Sequence, residues 1–463
     1  MICLPEGFAN RMKEQLGTDC DEFLGCYTRP AVKALRFNRR KVSPLDHAQL
    51  CRILTGSDTP DPVKWWDGAF YYDNDGPGSS PLHEAGVFYI QEPSAMLPVA
   101  LLDVYAGNLK ILDLCAAPGG KSTQIADLTE GCGLIVSNEI IPKRAQILSE
   151  NIERMGITNA LVISADPDML AERFAGYFDR ILVDAPCSGE GMFRKTPEAV
   201  KEWSGDNVKM CAKRQEMLLD RAVSMLSEGG RIVYSTCTFS PEEDEGVTEH
   251  FLAAHPEFGI CDGPVKVYPH TVRGEGHYAV AFARKVFGNG TRDTAMYGAG
   301  GKVFPRKPCG GVGTWSAYFA DLCTATPEEE RERVFEGMAL PPAGPQKIIH
   351  FGDSVYLAPE IMPYIDGLKV YRAGLKIGTH KKNRFEPDHA LSHALTADEA
   401  DHIVNYGPDA PEARQYLSGM TLSCDKDLKG WCLVCVMGYP LGWAKAAGGI
   451  LKNHYPRGLR RNL

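Results

Sequence analysis

A short apolar strand that runs into a glycine-rich turn and then into a helix, at residues 111–122, constrains the fold of this chain more than any other feature. Glycines at such a turn let the backbone approach a ligand closely, and the free N–H groups of the following helix can bind it. Strands and helices alternate around this segment from residue 87 to residue 285. The alternation predicts a parallel, doubly wound sheet of the Rossmann-like α/β class, which binds ligands beyond the carboxyl ends of its strands.

The hydrophobic pattern predicts the individual elements of this sheet. Strands are expected at residues 109–114, 133–137, 160–164, 178–183, 231–235 and 278–283. Helices are expected at residues 121–128, 142–155 and 210–226, and Gly229-Gly230 is expected to end the last of them. Ser240-Pro241-Glu242-Glu243 has the pattern of a capping box with proline at the first helical position, which predicts the start of another helix.

Changes in composition divide the chain into four parts. The first, residues 1–86, ends just after a turn-forming stretch at 73–81. The alternating region follows at residues 87–286, and a glycine- and proline-rich linker at 287–313 separates it from a less regular region at 314–463. Strand-like runs in that last region lie at 355–357, 368–371 and 431–437.

The overall composition limits the class of protein. Of 463 residues, 44% are hydrophobic and 24% are charged, which is typical of globular proteins. No apolar run is long enough to span a bilayer, and the N-terminus lacks a signal-peptide pattern, so we expect a cytoplasmic protein with no membrane partner. Most of its 15 cysteines are then expected to be reduced core residues. The net charge of −9 argues against a surface that binds nucleic acid everywhere, but it allows a local basic face.

Acidic residues follow successive strands of the predicted sheet. Glu139 comes after the second strand and is placed to accept hydrogen bonds from ribose hydroxyls. Asp166 after the third strand is suited to an adenine edge, and Asp184 ends the fourth strand. Taken singly, each is as consistent with a turn or a helix cap. Together with a glycine turn that departs from the dinucleotide and triphosphate patterns, they favour another nucleoside-type ligand.

Two cysteines also follow neighbouring strands, Cys187 within residues 184–189 and Cys237 within residues 235–237. A cysteine thiolate is strongly nucleophilic near neutral pH. Addition of such a thiolate to carbon 6 of a cytosine would activate carbon 5 for methylation, and a second thiol nearby could assist release of the product. From position alone, two ordinary buried cysteines at strand ends are an equal alternative.

Three segments, residues 113–121, 184–189 and 235–237, resemble in order and spacing the central motifs of the RNA (cytosine-5) methyltransferase family, also called the Sun family. The resemblance implies that Cys237 attacks the base, that Cys187 aids release of the methylated product, and that Asp184 belongs to the catalytic set. It also implies a site for S-adenosylmethionine (SAM). The positions that match the family's SAM-binding residues are Cys115, Ala116, Ala117, Pro118, Gly119, Gly120, Lys121, Glu139, Asp166 and Asp184.

Three alternatives remain open on the sequence. DNA cytosine-5 methyltransferases attack with the cysteine of a Pro-Cys motif, which would make Cys187 the nucleophile and leave Cys237 unexplained. A tRNA-directed enzyme of the same family is the second. A catalytically inactive ribosome-assembly factor is the third, although the intact cofactor loop and both cysteines argue against it.

Further segments at residues 89–96, 191–195 and 442–460 resemble the bacterial RsmF-type 16S rRNA methyltransferases. This resemblance implies an N-terminal accessory region that binds RNA, a C-terminal PUA-like RNA-binding module, and 16S rRNA or the small ribosomal subunit as partner, with the enzyme acting as a monomer. The residues expected to bind RNA are Lys445, Lys452, Arg457 and Arg460.

Aromatic and basic residues elsewhere extend this expectation. His454 and Tyr455 lie among the C-terminal cations and are expected to stack on exposed bases. A basic segment at residues 36–41 is expected to flank the catalytic cleft, and another basic run lies at 376–384, for which a solvated face is the alternative. Cys432 and Cys435 form a C-x-x-C pair without a partner pair, so no metal site is expected.

Overall fold

The computed structural model describes residues 3–285, 346–382 and 384–461, and the predicted linker at 287–313 lies outside them. The described strands are β1 (Lys33–Phe37), β2 (Asp61–Pro62), β3 (Ala69–Tyr72), β4 (Phe88–Ile90), β5 (Lys110–Asp113), β6 (Leu134–Asn138), β7 (Ala160–Ile163), β8 (Phe178–Asp184), β9 (Leu226–Thr236), β10 (Phe258–Val267), β11 (His277–Arg284), β12 (Gln346–Phe351), β13 (Ser354–Pro359), β14 (Val370–Ala373), β15 (Leu375–Lys381), β16 (Arg384–Pro387), β17 (Ile403–Tyr406), β18 (Leu422–Ser423), β19 (Gly430–Val436), β20 (Tyr439–Ala447) and β21 (Ile450–Asn453).

The described helices, short 3₁₀ turns aside, are α1 (Glu6–Leu16), α2 (Cys20–Gly25), α3 (His47–Thr55), α4 (Gly76–Ser79), α5 (Pro81–Glu84), α6 (Leu97–Ala100), α7 (Gly120–Thr129), α8 (Pro142–Arg154), α9 (Pro167–Arg173), α10 (Pro197–Glu202), α11 (Gly205–Met225), α12 (Glu245–Ala254), α13 (His389–Ala394) and α14 (Pro411–Leu417). None of them is both long and apolar enough to cross a membrane.

A central sheet of eight strands, in the order β10-β11-β9-β8-β5-β6-β7-β14, forms the largest layer. The five strands from β9 to β7 are parallel, because the helices α7, α8, α9 and α11 carry the chain back between them. The strand order reverses between β5 and β8, and ligands of doubly wound folds bind at this crevice. The predicted Rossmann-like α/β class is confirmed.

The helices and strands confirm most of the predicted elements, but two helix boundaries were wrong. Helix α11 ends at Met225 and strand β9 starts at Leu226, so Gly229-Gly230 lies inside the strand and does not end the helix. The pairing of β9 with β8 shifts register between Phe178 and Arg180, beside these glycines. A bulge of this kind accepts the positive φ of 75° at Gly229, which is why the glycine pair can lie in a strand.

The predicted capping box at residues 240–243 was also wrong. Helix α12 begins at Glu245 with Asp244 as the residue before it. The Ser240 hydroxyl instead donates to the Glu190 carboxylate at 2.8 Å, and Glu243 accepts a hydrogen bond from the backbone N–H of Ser188 at 3.0 Å. The side chains that a local pattern assigns to a helix end are engaged by a distant loop.

The N-terminal region is a four-stranded sheet in the order β2-β3-β1-β4, preceded by α1 and α2. Phe8 and Phe23 of these helices are buried against Phe193 and Phe239, which lie in the loops that follow β8 and β9. The N-terminal helices therefore support the loops that carry the two cysteines.

The C-terminal region contains two further sheets, β12-β13-β15-β16 and β17-β19-β20-β21-β18. The second of these sheets, together with α14, the loops between these elements and the last 3₁₀ turn, Arg457–Leu459 with the adjacent Arg460, is here called the C-terminal module. Its Val434 and Tyr416 share a buried cluster with Leu35 and Phe37 of the N-terminal sheet. Strand β14 comes from the same part of the sequence but pairs antiparallel with β7, so it extends the central sheet.

Candidate active site

The ends of strands β8 and β9 bring the two cysteines together. These strands are parallel neighbours, with Asp184 opposite Ser235. Each cysteine lies in the loop that follows its strand, within three residues of the strand's end. The Sγ atoms of Cys187 and Cys237 lie 3.3 Å apart, and both side chains are partly exposed. The sequence predicts both cysteines beyond the carboxyl ends of the strands, and the structure places their sulfur atoms in contact.

The contact with the second thiol affects the protonation of Cys187. The hydrogen bond with Cys237, reinforced by burial, raises the pKa of Cys187 well above its ordinary value. Cys187 is therefore a protonated thiol near neutral pH, and its S–H can donate to the sulfur of Cys237. The protonated thiol of Cys187 therefore lies beside the candidate nucleophile, Cys237.

Asp184 remains ionised because of its neighbours. The Nζ of Lys121 lies 2.7 Å from Oδ2, and the hydroxyl of Ser235 donates to Oδ1 at 2.8 Å. Burial by itself would raise the pKa of Asp184, but the Lys121 ammonium and the His277 ring, 3.6 Å from Oδ1, hold it well below its usual range. Lys121 lies in the first turn of α7, so this ion pair joins the cofactor loop to the strand that leads to Cys187.

A second carboxylate fixes the end of strand β9. The hydroxyl of Thr236 donates to Oδ1 of Asp244 at 2.6 Å, and the Nζ of Lys266 lies 2.9 Å from Oδ2. Burial raises the pKa of Asp244 to about 8, although Lys266 opposes that shift. Because Thr236 immediately precedes Cys237, this network restrains the backbone from which the cysteine projects.

Two further carboxylates, Glu190 and Glu243, contact the loops of both cysteines and were missed as site residues. Burial raises the pKa of Glu243 to about 7, against hydrogen bonds from Ser188 and Gln215. Glu190 lies between two glycines, and Glu243 belongs to a run of four acids, residues 242–245, that follows Cys237. An acidic run so close to a cysteine was the available signal, but these acids were assigned to a helix capping box instead.

The glycine-rich loop between β5 and α7 is held from outside by helix α8. Arg144 donates to the carbonyl of Ala117 at 2.9 Å, and Asn151 donates to the carbonyl of Pro118 at 3.0 Å. Gly119 has a φ of 114°, in the region that favours glycine. The loop conformation is therefore set by the protein itself.

The base of this loop holds an unsatisfied polar atom. Oδ2 of Asp113 accepts from Ser122 at 2.7 Å, whereas Oδ1 is buried and has no hydrogen-bond partner among the described residues. Burial raises the pKa of Asp113 to about 7. A buried acceptor without a partner costs free energy, and such an atom at a ligand-binding edge is consistent with a ligand or water that completes it.

The residues beside the loop fit a nucleoside with a positively charged group. The carboxylate of Glu139 accepts from the backbone N–H of Ile141 at 2.9 Å and lies 3.2 Å from Arg144, which fixes it at the end of β6. Ile140 and Ile141 are 53% and 47% exposed, which gives a purine ring an apolar surface. The exposed carboxylate of Asp166 caps α9 through the N–H of Asp168 at 2.8 Å. These acceptors and apolar groups match the chemistry of SAM.

All the predicted catalytic and cofactor positions therefore lie at the same edge of the central sheet. They are Cys115, Ala116, Ala117, Pro118, Gly119, Gly120, Lys121, Glu139, Asp166, Asp184, Cys187 and Cys237. Of these, Cys115 is a thiol whose pKa burial raises strongly, which disfavours its thiolate form.

The predicted RNA-binding cations lie elsewhere, on the C-terminal module. Lys445 on β20 is the register partner of both Lys452 on β21 and Trp431 on β19, so the three side chains stand side by side. The Nζ of Lys445 lies 5.7 Å from the centre of the Trp431 ring. Arg457 and Arg460, at the last 3₁₀ turn, are also exposed.

The two aromatic residues among these cations differ in exposure. The prediction that both stack on bases was wrong for one of them. Tyr455 is only 3% exposed and packs against Tyr416 and His389, so it cannot stack on a base. His454 is exposed, with its ring centre 4.6 Å from that of Trp431.

Two cations of the basic segment at residues 36–41 make internal contacts, whereas Arg39 is exposed. Arg36 is fully buried and forms an ion pair with Asp127. Burial lowers the pKa of Lys41 to about 7, and its Nζ donates to the carbonyl of Ala85 at 2.7 Å. In the other basic run, Lys376 forms an ion pair with Asp388 at 2.9 Å. Charge in the sequence did not distinguish these internal contacts from a binding surface.

Four sequence families match this chain in succession. They are described as the N-terminal domain of 16S rRNA methyltransferase RsmF at residues 4–93, 16S rRNA methyltransferase RsmB/F at 99–299, the RsmF rRNA methyltransferase first C-terminal domain at 334–395, and the methyltransferase RsmF PUA domain at 404–461. The second match covers the cofactor loop and both cysteines, and the last covers the C-terminal module.

Curated relatives match over almost the whole length. The ribosomal RNA small subunit methyltransferase F of Shewanella sp. (strain MR-7) is 32% identical over 99% of this chain and 98% of its own length. The protein of the same name from Vibrio cholerae is 30% identical over 100% of this chain and 98% of its own. A solved methyltransferase homologue from Pyrococcus horikoshii has a TM-score of 0.54 and 25% identity, and it covers 61% of this chain and 95% of that one.

Proposed function

The chain belongs to the 16S rRNA methyltransferase RsmB/F family, and from that premise we propose that it transfers a methyl group from SAM to carbon 5 of a cytosine in 16S rRNA. Cys237 is the nucleophile and Cys187 assists release. The observation that carries the proposal is the 3.3 Å contact between the two Sγ atoms at the ends of β8 and β9, beside the cofactor loop.

The proposed reaction uses Cys237 first. Its thiolate adds to carbon 6 of the cytosine, and the electron pair of the 5,6 double bond makes carbon 5 nucleophilic. SAM supplies the electrophilic methyl group. The proton on carbon 5 then passes to a water molecule, and the electron pair of that C–H bond forms the 5,6 double bond again. The bond between Sγ and carbon 6 breaks, with its electron pair leaving on sulfur.

Cys187 acts on the last of these steps. Its raised pKa keeps the S–H intact, so it donates a hydrogen bond to the sulfur of Cys237 as that sulfur departs with negative charge. A charge-assisted hydrogen bond of this kind stabilises the leaving thiolate. Without it, we expect the covalent protein–RNA adduct to persist.

Asp184 is proposed to recognise the base. An ionised carboxylate accepts a hydrogen bond from the exocyclic amino group of cytosine, a donor that uracil lacks. Lys121 and Ser235 hold this carboxylate in place, and Lys121 keeps it charged. The same carboxylate also attracts the positive charge of SAM, whose remaining contacts are assigned to residues 115–120, Glu139 and Asp166.

The C-terminal module is proposed to bind RNA through its exposed cations. Lys445 and Lys452 are directly opposite each other on the adjacent strands β20 and β21, and like charges in that position destabilise a sheet. An RNA phosphate offsets this repulsion, and Trp431 beside them offers a ring to an unstacked base. Because the target cytosine must reach Cys237, it must leave its stack.

Two variants test the chemistry. Transfer of labelled methyl from SAM to small-subunit rRNA is measured together with adduct formation on a denaturing gel. We expect Cys237→Ala to abolish transfer while SAM binding, followed by calorimetry, survives. We expect Cys187→Ala to accumulate the covalent adduct. Cys261→Ala, at an exposed cysteine, is the control and should behave as the unmodified protein.

The alternatives give different results in the same assays. An enzyme that attacked with Cys187, as DNA cytosine-5 methyltransferases do, would reverse the phenotypes of the two alanine variants. Transfer to DNA but not to RNA would also contradict the proposal. A catalytically inactive assembly factor would bind no SAM.

A further inference from the structure

Each of the two loops that carry the cysteines places a buried glutamate carboxylate in the other loop. Glu190, three residues after Cys187, reaches into the loop of Cys237. Its Oε2 accepts from the backbone N–H of Phe239 at 2.9 Å, and its Oε1 accepts from the hydroxyl of Ser240 and from Nε1 of Trp203, each at 2.8 Å. A side chain from one loop thus fixes the backbone of the other.

The opposite exchange has the same form. Glu243, six residues after Cys237, reaches into the loop of Cys187. Its Oε2 accepts from the backbone N–H of Ser188 at 3.0 Å and from Nε2 of Gln215 at 2.8 Å. The Gln215 amide also lies 3.0 Å from the carbonyl of Pro186, so the residues on both sides of Cys187 are held.

Shorter contacts complete the connection between the loops. The hydroxyls of Ser188 and Thr238 lie 2.7 Å apart, and the N–H of Gly191 donates to the carbonyl of Cys237 at 2.8 Å. A Cβ at Gly191 would lie 3.0 Å from that carbonyl oxygen, so only glycine allows this approach without displacement. The two loops are packed as one unit around the two sulfur atoms.

Burial of these two carboxylates costs free energy, which argues for a role beyond stability. Glu190 and Glu243 are both fully buried, with 0% exposure. Removing a carboxylate from water is unfavourable unless strong hydrogen bonds replace the lost hydration, and an apolar pair of similar size is often at least as stable. Buried hydrogen-bonded networks at a reacting centre hold side chains in a fixed geometry.

We propose that Glu190 and Glu243 are reciprocal positioning residues, each acting on the cysteine of the opposite loop. Glu190 holds Cys237 for attack on the base, and Glu243 holds Cys187 for release of the methylated product. The roles of the two cysteines rest on the function proposed above, whereas the exchange of carboxylates between the loops is independent of it.

The experiment compares Glu190→Leu and Glu243→Leu in the full chain. Leucine removes the acceptor atoms at similar volume. Single-turnover methyl transfer reports on attack, and the covalent adduct on a denaturing gel reports on release. Displacement of a reacting group by about 1 Å costs on the order of 100-fold. We expect Glu190→Leu to slow adduct formation by at least ~10-fold without accumulation, and Glu243→Leu to prolong the adduct by at least ~10-fold.

A conservative variant separates positioning from folding. In Glu243→Gln the amide oxygen can accept from Ser188 and Gln215 as Oε2 does, and the amide nitrogen takes the place of Oε1, which has no partner among the described residues. Release in this variant should therefore stay within about threefold of the unmodified protein, since the hydrogen bonds are kept. Where Glu243→Leu fails to fold, Gln215→Leu breaks the same contact from α11 and should also prolong the adduct.

The controls distinguish the failure of this proposal from the failure of the proposed function. Glu249→Leu, at an exposed position on α12, should leave both readouts unchanged. If Cys237→Ala and Cys187→Ala behave as proposed but both glutamate variants lower attack and release equally, the reciprocal assignment is overturned. If the two cysteine variants do not separate attack from release, the proposed function itself fails.

Discussion

The catalytic edge of the central sheet and the exposed face of the C-terminal module hold their polar groups in different ways. At the edge, Asp184, Glu190 and Glu243 each accept hydrogen bonds from a different loop or helix, and they are buried or partly buried. On the module, Lys445 and Lys452 stand in solvent beside each other. Polar side chains of the first region are thus fixed by hydrogen bonds within the fold, whereas the two lysines of the second lie exposed to solvent, as the proposed attraction of RNA requires.

The two regions should therefore respond differently to mutation and to salt. Removing a group from a bonded network leaves its partners unsatisfied in a site of low dielectric, so each change should have a large effect. Removing an exposed cation costs one screened interaction, so each change should have a small effect that depends on ionic strength.

The largest effect is expected from Asp184→Asn. This change removes the charge that Lys121 pairs with and leaves a buried ammonium without its carboxylate. We expect kcat/KM for rRNA methylation to fall by at least ~100-fold, the range seen when a fixed charge-stabilising group is lost from an active site. Asp206→Asn, at a fully exposed position, is the matched control. A loss of less than about tenfold would contradict the assigned role.

The next effect concerns pH. Asp184 has a pKa well below its usual range because of Lys121, so the unmodified enzyme should show no loss of Asp184 charge as pH falls toward about 5. In Lys121→Met, burial acts without the ammonium and the pKa of Asp184 rises. The residual activity should then fall as pH decreases, because the carboxylate is protonated. A pH–rate profile of the variant with no acid limb would refute this coupling.

The third test measures stability at Arg36, a buried cation that the sequence places in a basic segment expected to flank the catalytic cleft. Arg36→Met leaves Asp127 buried without its partner and should lower the free energy of unfolding by about 3–5 kcal/mol. Arg39→Met, at an exposed neighbour, should cost no more than about 1 kcal/mol. Urea unfolding of both variants measures the difference, and equal values would mean that Arg36 is not held as described.

The smallest effect is expected on the C-terminal module. Lys445→Ala and Lys452→Ala should each weaken rRNA binding several-fold at low salt and reduce the slope of log K against log salt by about 1, the change expected when one phosphate is no longer neutralised. The single-turnover rate at saturating RNA should not change. Lys426→Ala, at another exposed position of the module, is the control. An unchanged salt slope would show that these lysines do not bind RNA phosphates.

Local sequence predicted the central sheet well, because its signals are themselves local. The apolar strand and glycine turn before Lys121 form as expected, and so do the strands that lead to Cys187 and Cys237. The failures have one cause. Ser240 and Gly229 carry local patterns for a helix start and a helix end, but distant partners decide their conformations.

Charge patterns were less informative than hydrophobic ones. Arg36 and Lys41 appear in the sequence as part of a basic run, yet Arg36 is fully buried and the Lys41 ammonium is bound to a backbone carbonyl. Tyr455 stands among exposed cations and is itself buried. A charged or aromatic residue is compatible with either environment, and only its partners across the fold distinguish them.

Short motifs and the periodicity of apolar residues were enough to predict the α/β class, the glycine-rich turn and the two candidate reactive cysteines. Packing of the whole chain was needed to bring the sulfur atoms into contact, to place Glu190 and Glu243 each in the other's loop, and to add β14 to the central sheet. Those contacts join residues far apart in the chain, and their formation depends on how the strands pair and pack, which no local pattern specifies.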